Sequence, residues 1–198
     1  YGIYFPELAR GHTVLDRYDR EKMLERLCAP YRGVTFWDCD YYFAGDGYRL
    51  GCADTAKHDS IHQILAAYFR ELADTRRIDF ELILWYSQVL MRNQPHIAAL
   101  LSKVFSYVLV DEYQDTKRIQ YNLVGAILRA GAGSTKTFIV GDPNQAIFGS
   151  IGGYAISAAD FRALTNIPIR EMTLRLNYRS SARIIEHFST FNGWRSAR

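Results

Sequence analysis

At 198 residues the chain is long enough for one sizeable hydrophobic core, or a core plus part of a second. Its 48% apolar and 23% charged residues, without low-complexity tracts, are those of a soluble globular protein, and no apolar run approaches the roughly 20 residues of a membrane span. A net charge of +3 permits nucleic-acid binding without pointing to it, and three cysteines, none in a CxxC pair, fit reduced thiols better than a disulfide frame or a zinc site.

The opening YGIYFPELARGH has no basic segment followed by an apolar stretch, so no signal peptide is expected. Asp16 to Leu27 has helical spacing, with Leu15, Tyr18, Met23, Leu24 and Leu27 as its apolar face. Residues 31–50 are rich in aromatics and glycine, and GDG at 45–47 reads as the turn of a hairpin. Residues 57–74 form an amphipathic helix through Ile61, Ile64, Leu65, Tyr68, Phe69 and Leu72. Asp79 is the expected N-cap of a helix over 80–91, and a third helix spans 95–105. YVLV at 107–110 reads as a buried parallel strand, followed by a helix over 119–129 and a second strand at 137–142. A helix over 157–164, a strand over 171–176 and a helix over 181–191 complete the pattern. Strands alternating with helices predict an α/β fold with a mostly parallel sheet.

The chemistry concentrates at the ends of these strands. VLVDEYQDT (108–116) ends an apolar strand in Asp111 and Glu112. One such carboxylate can hold Mg2+ beside a nucleotide while the other orients an attacking water. An acidic pair after a strand also serves simply as charge at a helix N-terminus, and the pair alone leaves both readings open. VGDPNQAIFG (140–149) and LNYRS (176–180) follow in order.

Together these segments resemble motifs II, III and IV of the UvrD, Rep and PcrA-type superfamily 1 DNA helicases. RIDFELILWYSQVL (77–90) looks like that family's DFDDL-type helix, and the resemblance runs over about 60–192. It implies a RecA-like ATPase fold, ATP and Mg2+ as cofactors, and single-stranded or partly duplex DNA as partner. Residue by residue, it implies that Asp111 coordinates Mg2+, Glu112 polarises the hydrolytic water and Gln145 senses the γ-phosphate. Arg179 would act as an arginine finger, Tyr178 would stack on adenine, Phe148 would stack on DNA bases, and Gln114 and Asp115 would link motif II to its neighbours. ATP would close a cleft between two RecA-like domains through Gln145 and Arg179, and hydrolysis would release it. Each residue also has a plainer role open to it: Gln145 satisfying loop backbone, Tyr178 and Phe148 in a core, Arg179 on a surface carboxylate.

The chain departs from the family after Phe148. Ser150, Ile151 and Gly152 stand where many relatives have an aromatic followed by Arg-Gly, so a second base platform is missing. GAGSTKT (131–137) looks like a P-loop, but Thr135 replaces the glycine needed before lysine, and a strand is expected after it where a P-loop needs a helix. No GxxxxGK[ST] occurs. The expected layout is therefore a partial helical insertion (1–75), the later half of a first RecA-like domain (76–168) and the start of a second (169–198). Such a piece would be ATPase-inactive without the remainder of the helicase chain. A non-catalytic DNA-binding or scaffolding relative, or the helicase module of a nuclease or defence complex, are the alternatives. The expected location is cytoplasmic, nucleoid-associated in a bacterium. HDSIH (58–62) has the histidine spacing of a zinc helix but no Glu base or third ligand, and reads as a solvated helix start.

Overall fold

The computed structural model describes residues 3–174 and 176–192, which fall into two compact units, 1–167 and 168–198. No helix among the described residues is long and apolar enough to cross a membrane.

The first unit opens with β1 (Thr13–Val14) and α1 (Arg17–Cys28), whose N-cap Asp16 accepts the Asp19 amide at 2.8 Å. Leu15, Met23, Leu24 and Cys28 are buried, but Tyr18 is 71% exposed, against the expectation. At 100° per residue Tyr18 lies well over ~100° around the helix from both Met23 and Leu24, so it cannot share their face. The strands β2 (Tyr41–Ala44) and β3 (Gly47–Leu50) form the expected hairpin, turning at Gly45 and Asp46. The register pairs Tyr41 with Leu50, Tyr42 with Arg49, Phe43 with Tyr48 and Ala44 with Gly47. Tyr41 and Phe43 point into the core, where Phe43 stacks on Trp85 with ring centroids 4.7 Å apart.

Helix α2 (His58–Thr75) buries Ile61, Ile64, Leu65, Tyr68 and Leu72, the face its spacing predicts, with Phe69 packed at its edge. It leads into β4 (Arg77–Ile78), which pairs in parallel with β1, and then α3 (Phe80–Asn93). Asp79 caps α3 as expected, accepting the Leu82 amide at 3.0 Å. Its other oxygen accepts the hydroxyls of Tyr41 and Tyr68 at 2.7 and 2.8 Å. One carboxylate, 3% exposed, thus ties the hairpin, α2 and α3 together with every neighbour satisfied.

Helix α4 (Pro95–Val104), β5 (Tyr107–Val110), α5 (Arg118–Gly131) and β6 (Lys136–Ile139) follow, and β5 pairs in parallel with β6. The chain is therefore a mixed α/β protein whose described strands lie in three two-stranded sheets, two of them parallel. The expectation that YVLV is buried is corrected. Tyr107 and Leu109 are 60% and 72% exposed, as is Phe138 at 63%. A two-stranded sheet is covered here on one face only, so alternate residues remain open. Helix α6 (Ala158–Thr165), capped by Ser157, packs on α5 and ends the unit.

In the second unit α7 (Ala182–Asn192) forms as expected, but of the strand expected over 171–176 none forms among the described residues, 171–174 and 176. Met172, Leu174 and Leu176 are 77%, 81% and 67% exposed, and without a partner strand among the described residues an extended path here gains no backbone hydrogen bonds over an irregular one.

The strand expected after the P-loop look-alike forms. Gly131 ends α5, and Thr135 is buried and donates its hydroxyl to the Ser102 carbonyl, so this loop is a helix end followed by a strand. His58 contacts the Cys52 carbonyl and His62 the Tyr48 hydroxyl, and no cluster among the described residues could hold a metal through three or more His, Cys, Asp or Glu. Cys28 and Cys39, distant in sequence, bring their sulfurs to 3.6 Å as free thiols, and burial pushes both up, away from the thiolate.

Candidate nucleotide and DNA site

Two loops leave the carboxyl ends of β5 and β6, the edge where parallel sheets place ligands. The first carries Asp111 and Glu112, both exposed. Asp111 accepts the Glu112 amide on Oδ1 at 2.9 Å. Glu112 has φ 49° and ψ 49°, a left-handed conformation that a side chain with a Cβ adopts at a cost of about 1–2 kcal/mol. This sets Glu112 at the head of a short 3-10 turn, Tyr113–Asp115.

The second loop holds Asp142, Asn144 and Gln145. Asp142 accepts the Asn144 amide at 2.9 Å, the Asn144 side chain at 3.0 Å and the Gln145 side chain at 3.1 Å. Partial burial pushes the Asp142 carboxyl up, but these three donors outweigh it and hold it below its usual range. The sequence reading missed Asp142; the Gly-Asp-Pro that ends the strand was its signal.

Gln114 joins the loops. Its amide nitrogen donates to Glu112 Oε2 at 2.7 Å, and its amide oxygen accepts the Asp142 backbone N–H at 3.0 Å. The Tyr113 amide also donates to the Val140 carbonyl at 3.1 Å. Gln114 is 2% exposed, so the bridge is shielded from water. Gly141 makes the approach possible: a Cβ there would fall 2.7 Å from Tyr113 Cδ1, 2.8 Å from Tyr113 N and closer still to Gln114 Oε1. Asp115 is placed differently, with a buried Oδ1 that has no partner among the described residues.

Lys117 fastens this region from below. Its ammonium pairs with Glu81 of α3, and its backbone bridges to Gly153. Phe148, 44% exposed, opens the 3-10 turn Gly149–Ile151, and its carbonyl accepts the Ile151 and Gly153 amides at 3.1 and 2.8 Å. In the second unit Tyr178 is 91% exposed, and Asn177 Oδ1 accepts the amides of Arg179 and Ser180, each at 2.9 Å, presenting Arg179 on a turn. Of the residues singled out, Asp111, Glu112, Gln114 and the Gln145 loop are joined by a continuous set of hydrogen bonds.

Exposed carboxylates thus stand at the end of a parallel strand, braced by a buried amide against a second loop. Hard oxygen donors in this number suit Mg2+, which takes one or two protein carboxylates and keeps its remaining ligands from water and phosphate. The UvrD/REP helicase N-terminal domain family matches residues 42–155, and the chain belongs to this family. Over 135 residues it is 30% identical to an ATP-dependent DNA helicase PcrA from Leuconostoc citreum, covering 68% of this chain and 17% of that relative. It is 40% identical over 111 residues to DNA helicase II of Escherichia coli K12, covering 54% and 14%. With the ATP-dependent DNA helicase Rep of Buchnera aphidicola it shares 25% identity over 193 residues, covering 91% and 29%. The chain thus spans less than a third of the length of these relatives.

Proposed function

We propose that this chain is part of an ATP-dependent DNA helicase or translocase that moves along single-stranded DNA and separates duplex. The observation that carries the reading is the Gln114 bridge. It links the Glu112 carboxylate to the loop that leads, three residues after Gln145, to the exposed Phe148. In this reading a change at Glu112 would reach the loop that carries Phe148, the coupling a translocase requires.

In this reading Asp111 holds Mg2+, which when bound neutralises phosphoryl charge. Glu112 keeps an exposed carboxylate oriented by Gln114, ready to accept a proton from water. Gln145 has a planar amide able to sense a phosphate oxygen and pass its position to Asp142. Arg179 supplies a guanidinium suited to spread phosphoryl charge, Tyr178 an exposed ring suited to adenine, and Phe148 a ring for a DNA base. Residues 1–75 would form part of a helical insertion, 76–168 the later half of a RecA-like domain and 169–198 the opening of a second. The remainder of the helicase chain would supply the phosphate loop that this sequence lacks.

ATP turnover measured with and without single-stranded DNA, on this chain and on a protein spanning the length of the relatives, tests the reading. DNA-stimulated turnover in the longer protein and none in the chain alone supports it. Absence of turnover in both would favour a non-catalytic DNA-binding relative, and turnover in the chain alone would refute the need for a separate phosphate loop.

A further inference from the structure

The loop after Phe148 does not stand alone; it is seated on the β2–β3 hairpin. A Cβ on Gly152, whose φ is 93°, would meet the Tyr42 ring at 2.6 Å from Cδ2 and 2.7 Å from Cγ, so the ring fills the space a side chain would need. A Cβ on Gly51, just beyond β3, would lie 3.2 Å from the Ser150 carbonyl oxygen. Gly152, which keeps the glycine of the family pattern, is therefore the residue that lets the hairpin approach.

Strand alternation then sorts the hairpin. Tyr41, Phe43, Tyr48 and Leu50 share the inner face, while Tyr42 and Arg49 are cross-strand partners on the outer one. The inner tyrosines have their hydroxyls engaged, Tyr41 by Asp79 and Tyr48 by His62. The half-buried Tyr42 has no hydrogen bond to its hydroxyl, and the exposed Arg49 has no ion pair, among the described residues. The acid at the hairpin tip, Asp46, is already offset by Arg92 at 2.9 Å. The outer face thus offers one aromatic ring and one uncompensated cation, continuous with the loop that carries Phe148.

We propose that Tyr42 and Arg49 form a second contact for single-stranded DNA, Tyr42 stacking on a base and Arg49 meeting a phosphate, in place of the aromatic residue absent at Ser150. A half-buried ring beside an exposed guanidinium, near the exposed Phe148, has the elements that bind single strands without reading sequence. This rests on Phe148 being a DNA contact. It adds that the hairpin, rather than the loop, supplies the next platform.

The test is equilibrium binding of a fluorescently labelled oligothymidylate to the full-length protein across a salt series. Tyr42→Leu keeps apolar volume beside Gly152 but removes the π-face, and should weaken binding on the order of tenfold with the salt slope unchanged. Tyr42→Phe keeps the face and should bind as the wild type does. Arg49→Gln, at an exposed position that leaves the fold intact, should weaken binding and flatten the slope of log K against log salt by about 0.7. Wild-type binding and slope in both Tyr42→Leu and Arg49→Gln, with binding lost in Phe148→Ala, would overturn the hairpin contact and leave the DNA reading standing. Wild-type binding in Phe148→Ala as well would remove both. Should Tyr42→Leu lower the melting temperature, the Arg49→Gln slope alone decides.

Discussion

Replacing Gly141 with alanine perturbs the site at its narrowest point. The added methyl would lie 2.8 Å from the Tyr113 backbone nitrogen and 2.7 Å from its ring, and nearer still to Gln114 Oε1. The Gln114 side chain can swing away, but the Tyr113 nitrogen is held by its hydrogen bond to the Val140 carbonyl at 3.1 Å and cannot. Forcing a methyl into such a gap costs about 1–3 kcal/mol. Losing the 3.0 Å bond from the Asp142 amide to Gln114 adds about 1 kcal/mol. For a chain of this size the sum lowers the melting temperature by on the order of 10 °C. Gly149→Ala is the control, since nothing lies within 4 Å of a Cβ there, and it should stay within about 0.5 kcal/mol of wild type. Thermal melts followed by circular dichroism on both variants and on Gly141→Ala/Gln114→Ala give the answer. The double variant should recover only part of the loss, because the backbone clash remains. A Gly141→Ala melt matching wild type would refute the tight packing of the two loops.

Glu112→Gln, in a protein spanning the relatives' length, should abolish ATP hydrolysis while nucleotide binding survives; equal turnover would remove Glu112 from its role. Glu112→Gly relieves about 1 kcal/mol of left-handed backbone strain but strands the buried Gln114 amide at a cost of about 1–3 kcal/mol, so denaturant titration should show no gain in stability even as hydrolysis is lost. Asp79→Leu strands two tyrosine hydroxyls in the core and should cost about 2–4 kcal/mol, read as a drop in the urea midpoint. Burial pushes the Asp38 carboxyl up, but hydrogen bonds from Lys57 and from the Thr35 amide and hydroxyl outweigh it and bring it down to about 2. A lowered folded-state value means its contribution is present above the unfolded value near 4 and is lost as pH falls toward 2. After allowance for solvent screening this is on the order of 1 kcal/mol, and Asp38→Asn should flatten the acid limb of the stability profile over that window.

Much of the fold was legible because local rules and tertiary context agree over α2 and α3. Ile61, Ile64, Leu65 and Leu72 lie on one helical stripe, and Asp79 is both the best cap available and the hydrogen-bond hub it needs to be. Where context decides, the sequence misled. YVLV reads as a buried strand because its apolar run is complete, yet burial depends on how many layers cover the sheet, which no local pattern records. Residues 171–176 have strand composition, yet no partner strand lies beside them among the described residues. In the site, strand-end carboxylates were readable from order and spacing, but the contacts that position them were not. Gln114 spans 28 residues to reach Asp142, and the fit of Gly152 to Tyr42 joins positions more than a hundred residues apart.

The parallel ladder of β5 and β6 has one more consequence. Val110 is matched with Ile139, so the loops that carry Glu112 and Asp142 begin level with each other from strands that share one register. A slip of one residue would move one loop by about 3.3 Å along the other and turn every side chain of its strand to the opposite face. Gln114 could not span such an offset with both of its bonds intact. The ladder therefore acts as a gauge: a molecule that pairs these strands out of step can be compact and still lack the Gln114 bridge between Glu112 and Asp142.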